Sequence, residues 1–138
     1  MANECIPLYR GGDPDLTGHC TAPVTGGTFV GLSGTIQSGP ELTTATDGSN
    51  FRIATAAAGT AAVGVSAQDC ASNKKVAYLR HGNVVPMVAD GNITANDPIE
   101  VGTAGKPKTR ASSGATTVHV GKAHTTAASG AVVYIEIL

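Results

Sequence analysis

The sequence predicts an all-β fold: a small β-barrel or β-tulip-like domain with an internal pseudo-repeat and an extended N-terminal arm. Three observations lead there. First, a short unit recurs 57 positions on without a gap: Gly34 as Gly91, Ile36 as Ile93, Thr46 as Thr103, Gly48 as Gly105 and Ala54 as Ala111. In the same way Thr60-x-x-Val63-Gly64 recurs as Thr117-x-x-Val120-Gly121, Ala71-Ser72 as Ala128-Ser129 and Val76 as Val133. Second, turn residues return about every 8–12 positions, the spacing of a sandwich or barrel. Third, apolar residues between the turns alternate with polar ones, as on half-buried strands. The recurring residues are glycines, β-branched residues and small residues, which set turns and strand faces. None is reactive.

Residues 1–27 stand apart. Pro7, Gly11-Gly12, Asp13-Pro14, Gly18, Pro23 and Gly26-Gly27 break the segment too often for a helix or a long strand. It reads as an arm. Ile6, Leu8 and Tyr9 form an apolar cluster whose alternation fits a short strand able to add to another sheet. From residue 28 the pattern is β throughout, in two related halves of about 28–83 and 84–138. Thr28-Phe29-Val30-Gly31-Leu32 opens the first half, and a turn follows at Ser33-Gly34. Ala54 to Ala62 is alanine-rich, which favours helix. Gly59 and the threonines oppose it, so this stretch and its equivalent, Ala111 to His119, read as loops leading into strands. Ala62-Val63-Gly64-Val65 and Val118-His119-Val120 are the matching core strands. Polar–apolar alternation marks Lys75-Val76-Ala77-Tyr78-Leu79 and the end of Ala131-Val132-Val133-Tyr134-Ile135-Glu136-Ile137 as strands. Val84-Val85-Pro86-Met87-Val88 is another, its proline suited to an edge or bulge. Asp47-Gly48, His81-Gly82-Asn83, Asp90-Gly91-Asn92, Asn96-Asp97-Pro98 and Ala104-Gly105 supply turns.

The chain has 138 residues, enough for one domain, and each copy is too short to bury a good core alone. The copies therefore share a core rather than form an open solenoid, which needs about three or more units. Hydrophobic content is 41%, but much of it is alanine, with no Trp and only two Phe and three Tyr. The core is thin, and the 14% of charged residues leaves a weakly charged surface that other subunits would cover. A net charge of −1 argues against a nucleic-acid binder, which would show a basic stripe. Lys74-Lys75, Arg80, Lys106, Lys108 and Arg110 are not interleaved with aromatics and read as solvated loop faces. No apolar signal segment follows a basic start, and no stretch is long enough to span a bilayer, so a cytosolic, soluble product is expected. Cys5, Cys20 and Cys70 are then expected to be free thiols.

The reactive side chains do not assemble into a known chemistry. Gly31-Leu32-Ser33-Gly34 misses the G-x-S-x-G nucleophile elbow by one position. Gly121-Lys122 lacks both the following Ser/Thr and the first glycine of a phosphate loop, where Thr116 stands. His119 and His124 lie at i and i+5 without a cysteine pair, short of a zinc set. Cys5, His19 and Cys20 are a weak metal grouping in the arm. Asp90, Asp97 and Glu100 surround a turn without calcium-loop spacing and read as turn caps. Asp13-Pro14-Asp15 lies in a segment too loose for acid–base work. Asn92-Ile93-Thr94 is a glycosylation sequon without a secretion signal. The expectation is no enzyme, no cofactor and no metal.

Met1-Ala2-Asn3-Glu4-Cys5-Ile6-Pro7-Leu8-Tyr9, Thr17-Gly18-His19, Phe29-Val30 and Gln37-Ser38-Gly39-Pro40 carry a family resemblance. So do Val63-Gly64-Val65, Val84-Val85-Pro86 and Val101-Gly102-Thr103-Ala104-Gly105-Lys106. The chain resembles the head decoration (capsid cement) proteins of tailed bacteriophages, notably those of actinobacterial hosts. The resemblance implies a non-enzymatic virion protein made in the host cytoplasm. It would bind the major capsid protein on the outer surface of the expanded head and stabilise the lattice, often as a homotrimer, with no nucleic acid or membrane as partner. Cys5, Ile6, Pro7, Leu8, Tyr9 and Arg10 are the capsid-binding residues expected in the arm. The alternative is a ligand- or carbohydrate-binding β-module on a virion or cell surface. It would need exposed aromatics to stack on sugars, and of Tyr9, Tyr78, Tyr134, Phe29 and Phe51 three lie in core-like strand runs.

Overall fold

The computed structural model describes residues 3–33, 51–111 and 115–138. Gly34, Ile36, Thr46, Gly48 and the Asp47-Gly48 turn lie outside them. The described residues form eleven strands. They are β1 (Tyr9–Arg10), β2 (Leu16–Cys20), β3 (Phe29–Leu32), β4 (Phe51–Thr55), β5 (Gly64–Ser66), β6 (Lys75–Leu79), β7 (Asn83–Val88), β8 (Pro98–Val101), β9 (Pro107–Thr109), β10 (Gly121–Ala123) and β11 (Val132–Ile137). A 3₁₀ turn at Thr103–Gly105 is the one helical element among them, and no described helix is long and apolar enough to cross a membrane. The all-β expectation holds.

β2, β4, β3, β5 and β6 close a five-stranded barrel in that order, with β2 paired to β6 on one side and parallel to β4 on the other. The second sheet runs β1-β7-β11-β10-β8-β9. Leaving out β1, the two halves have the same strand order, with β7 standing for β2, β8 for β3, β9 for β4, β10 for β5 and β11 for β6. The registers agree residue by residue. Val30 pairs with Gly64 as Ile99 pairs with Gly121, and Ser66 pairs with Tyr78 as Ala123 pairs with Ile135. The isolated bridge Val24–Cys70 matches Ile93–Ala127.

This correspondence changes two expectations. From Gly64 onward the 57-residue offset places each residue on its structural equivalent. Before the β3–β4 corner the offset is 69, so Ile93 answers to Val24 and not to Ile36. The first copy begins with β2 at Leu16, inside the span expected to be arm. The strand expected at Val118-His119-Val120 also lies further along, at Gly121–Ala123, with Val118 and His119 exposed. The expected loops around Ala54 to Ala62 lead out of β4 and into β5, without a helix.

One position in the closing strand differs between the closed first half and the open second half. A Cβ on Gly18 would come within 2.5 Å of Ile53 Cδ1, so a larger residue there would force the Ile53 side chain to move. The equivalent of Gly18 is Met87, a buried side chain that needs the space a closing strand would take. The second half keeps one remnant of closure: Asp90 N donates to Pro107 O at 2.8 Å, where Thr21 N donates to Ile53 O at 3.1 Å in the barrel.

The core has two parts. Cys20, Val24, Val30, Ile53, Cys70, Val76 and Tyr78 fill the barrel. A larger cluster joins Phe29, Val65 and Leu79 of the first half to the buried residues of the second, among them Val85, Ile93, Ile99, Val101, Val133 and Ile135. Phe29, Val65 and Leu79 point out of their own barrel. Their equivalents, Pro98, Lys122 and Glu136, are not fully buried. The repeat is thus asymmetric on its outer face, and that asymmetry seats one half on the other. Gly59 N donates to Val101 O at 2.8 Å and Val118 N to Gly59 O at 3.1 Å across the junction.

Candidate partner-binding arm

Residues 3–15 lie across the body, held mainly by backbone. Cys5 N donates to Ala67 O at 2.7 Å and Leu8 N to Val84 O at 2.8 Å, and Tyr9 and Arg10 pair with Val84 and Asn83 as β1. Asp13 N donates to His81 O at 2.8 Å. β1 covers only the start of β7, so Pro86, which has no N–H to give, sits where β7 has no second strand partner; β7 tolerates it there. Cys5 Sγ donates to Pro86 O at 3.6 Å.

Side chains of the body complete the docking. The Asp69 carboxylate accepts from Gly26 N at 2.8 Å and from Asn3 Nδ2 at 3.1 Å. These hydrogen bonds, the Gly26 amide first, hold its pKa below the ordinary aspartate value. Buried Asn83 donates to Arg80 O at 2.9 Å and Asp13 O at 3.4 Å, and Arg80 Nε donates to Pro14 O at 2.9 Å. Asp69, Arg80 and Asn83 were invisible as functional residues in the sequence, because each anchors arm residues 66 to 70 positions away.

Docking in this way separates the six expected site residues. Cys5 is buried, and burial pushes its thiol pKa up to about 12. Pro7 is half-buried. Ile6, Leu8 and Tyr9 keep 67%, 68% and 63% of their surface exposed, so the apolar cluster does not pack on its own body. Arg10 is exposed beside them and 3.5 Å from Asp15. A groove of about 190 Å³ lined by Asn3, Glu4, Pro86, Met87, Val88 and Val132 runs alongside, and Val88 and Val132 are exposed and paired across β7 and β11.

Most of the other polar candidates have partners within the body. His119 Nε2 lies 2.8 Å from Gly121 O, and His124 Nε2 lies 2.8 Å from Glu136 Oε1, so the two histidines do not converge. Asp97 caps its turn by accepting from Thr94 N and also from the Thr109 hydroxyl, whereas Asp90 accepts from Thr103 N and Glu100 from the Thr117 hydroxyl, bonds between distant segments and not the turn caps expected. Arg110 binds the Thr117 and Ala115 carbonyls. Cys5 and Cys20 belong to different core clusters. Among the described residues no three His, Cys, Asp or Glu side chains gather as a metal would require.

No protein-family model matches the sequence, and no curated protein matches it either. The structure is similar to the crystal structure of the N base of the head fiber gp8.5 of bacteriophage phi29. The TM-score is 0.66, over 91% of this chain and 93% of that one, at 17% sequence identity. The chain shares the fold of that phage head fiber base along nearly its whole length.

Proposed function

We propose that this protein is a non-enzymatic component of a phage head. It binds the major capsid protein on the outer surface of the expanded shell, acts as a homotrimer and stabilises the lattice. The observation that carries the reading is the arm: Ile6, Leu8 and Tyr9 are about two-thirds exposed on a backbone already fixed to the body. Burying a large apolar side chain yields roughly 1.5–3 kcal/mol. Because the segment is ordered before binding, little of that gain is lost to ordering it. The fold shared with a phage head fiber base supports the same assignment. Many copies on one shell would add avidity wherever their spacing matches the lattice.

The test is co-sedimentation with expanded heads. Ile6→Ser, Leu8→Ser and Tyr9→Ser together are expected to weaken binding by about 100-fold or more, with circular dichroism and Tm unchanged. Undiminished binding by a folded triple variant overturns the role of the arm. Light scattering that finds a monomer in solution, together with single copies on the shell, overturns the trimer.

A further inference from the structure

The barrel interior holds a pair of cysteines that the capsid role leaves unused. Cys20 ends β2, and Cys70 lies in the turn between β5 and β6; both are buried in the same apolar cluster. The backbone wraps that turn around the end of β2. Cys20 N donates to Lys74 O and Asn73 N to Cys20 O, each at 2.8 Å, while Val24 and Cys70 exchange both backbone hydrogen bonds at 2.9 Å. The two side chains therefore sit in one contiguous buried cluster at the same end of the barrel, with Cys70 Sγ 3.5 Å from Ala71 O.

The repeat supplies an internal control. The second half makes the same wrapping bonds, Ala89 N to Ala131 O and Gly130 N to Ala89 O, each at 2.9 Å, and the same bridge at Ile93–Ala127. At the positions of Cys20 and Cys70 it carries Ala89 and Ala127, both buried. Both members of the pair differ together: two alanines in one copy, two cysteines in the other. A small residue suffices for packing at each site, so packing alone does not call for sulfur at both.

We propose that Cys20 and Cys70 form a redox-responsive pair, free as thiols in a reducing cytosol and joined by a disulfide in an oxidising medium. The oxidant is a low-molecular-weight disulfide of the glutathione class. One thiolate attacks it to give a mixed disulfide and one released thiol. The second protein thiolate then displaces the other small thiol. One S–S bond is broken and one formed, the two protein sulfurs lose two electrons, and the two thiol hydrogens end on the two released thiols. Burial and the neighbouring Cys70 keep the Cys20 thiol protonated, with its pKa raised to about 12, so Cys20 does not act as the attacking thiolate while it stays buried. Once closed, the bridge would tie β2 to the β5–β6 turn across the strand that completes the barrel.

The test is to refold the protein in a buffer of reduced and oxidised glutathione, trap free thiols by alkylation and map peptides by mass. The expected result is a Cys20–Cys70 cross-link two hydrogens lighter, with Cys5 alkylated, and a Tm roughly 10 °C above that of the reduced protein. Cys20→Ala with Cys70→Ala, which copies the alanine pair of the second half, should fold with a Tm that no longer responds to the redox state. Three alkylated cysteines after oxidative refolding, or cross-links that involve Cys5, overturn the proposal.

Discussion

At Gly18 the approach of β2 to β4 leaves no room for a methyl group unless Ile53 shifts. A side chain there would meet Ile53 Cδ1 at 2.5 Å and Cγ1 at 2.8 Å. Gly18→Val is expected to cost about 1–3 kcal/mol, measured by urea unfolding, because β2 must move from β4 or Ile53 must leave its rotamer. Gly26 plays the same part for the arm: a Cβ would sit 1.9 Å from Asn3 O and 2.7 Å from Gln68 Cα. Gly26→Ala should lift the start of the arm, seen as faster hydrogen exchange at the Cys5 amide, while the amides of the barrel strands keep their protection. Both glycines were legible as punctuation but not as contacts. A sequence shows that glycine permits a turn; it does not show which distant strand comes close to it.

The arm is fixed as an element through Asp69, and this gives it a pH dependence with a definite sign. The native carboxylate titrates below its ordinary value because Gly26 and Asn3 donate to the charged form. Anchorage is therefore complete above the ordinary aspartate pKa of about 3.9 and is lost only as the pH falls below it. The Asn3 side-chain amide resonances should stay at their bound positions from neutral pH down to about 4 and move below that, and Asp69→Ala should show the released positions at every pH. β6 and β11 were legible from alternation and β3, β5 and β7 from their β-rich runs, whereas β2, β4, β8 and β9 carry no such signal. β10 was displaced from the β-rich Val118-His119-Val120 because pairing with β8 and β11 selects the strand, not propensity. Gly121 is the residue that fits between them, since a Cβ there would meet Ile135 Cγ2 at 2.8 Å and Glu136 O at 2.9 Å. Of the candidate site, the apolar cluster was legible and its footing was not. Ile6, Leu8 and Tyr9 can be seen within the opening segment alone, whereas Asp69 and Asn83 act only once the chain has folded back.

The whole molecule depends on the two copies having diverged on one face. Leu79 is buried at the junction where its equivalent, Glu136, is partly exposed. Leu79→Ala should cost about 2–5 kcal/mol and leave a single unfolding transition by calorimetry, because neither half has a complete core of its own. The repeat was legible only where its offset stays constant. Thr60, Val63, Gly64, Ala71, Ser72 and Val76 recur in place, while between residues 16–32 and 85–101 only Thr25 and Thr94 are identical and the alignment is shifted by the corner that follows. That corner has a practical side. Leu32 pairs with Ile53 as Val101 pairs with Pro107, yet the first pair is joined by residues 33–52 and the second by residues 102–106 alone. One scaffold has accepted both a long and a minimal link at the same hairpin, and lengthening a loop adds closure entropy only slowly. The short corner has no such freedom in the second half, because Gly105 is buried and a Cβ there would lie 2.9 Å from Thr55 Cγ2 and 3.0 Å from Phe29 O. A subunit used as a carrier for dense antigen display would therefore have to keep the Thr103–Lys106 corner intact, since an epitope inserted there would push Gly105 off Thr28, Phe29 and Thr55.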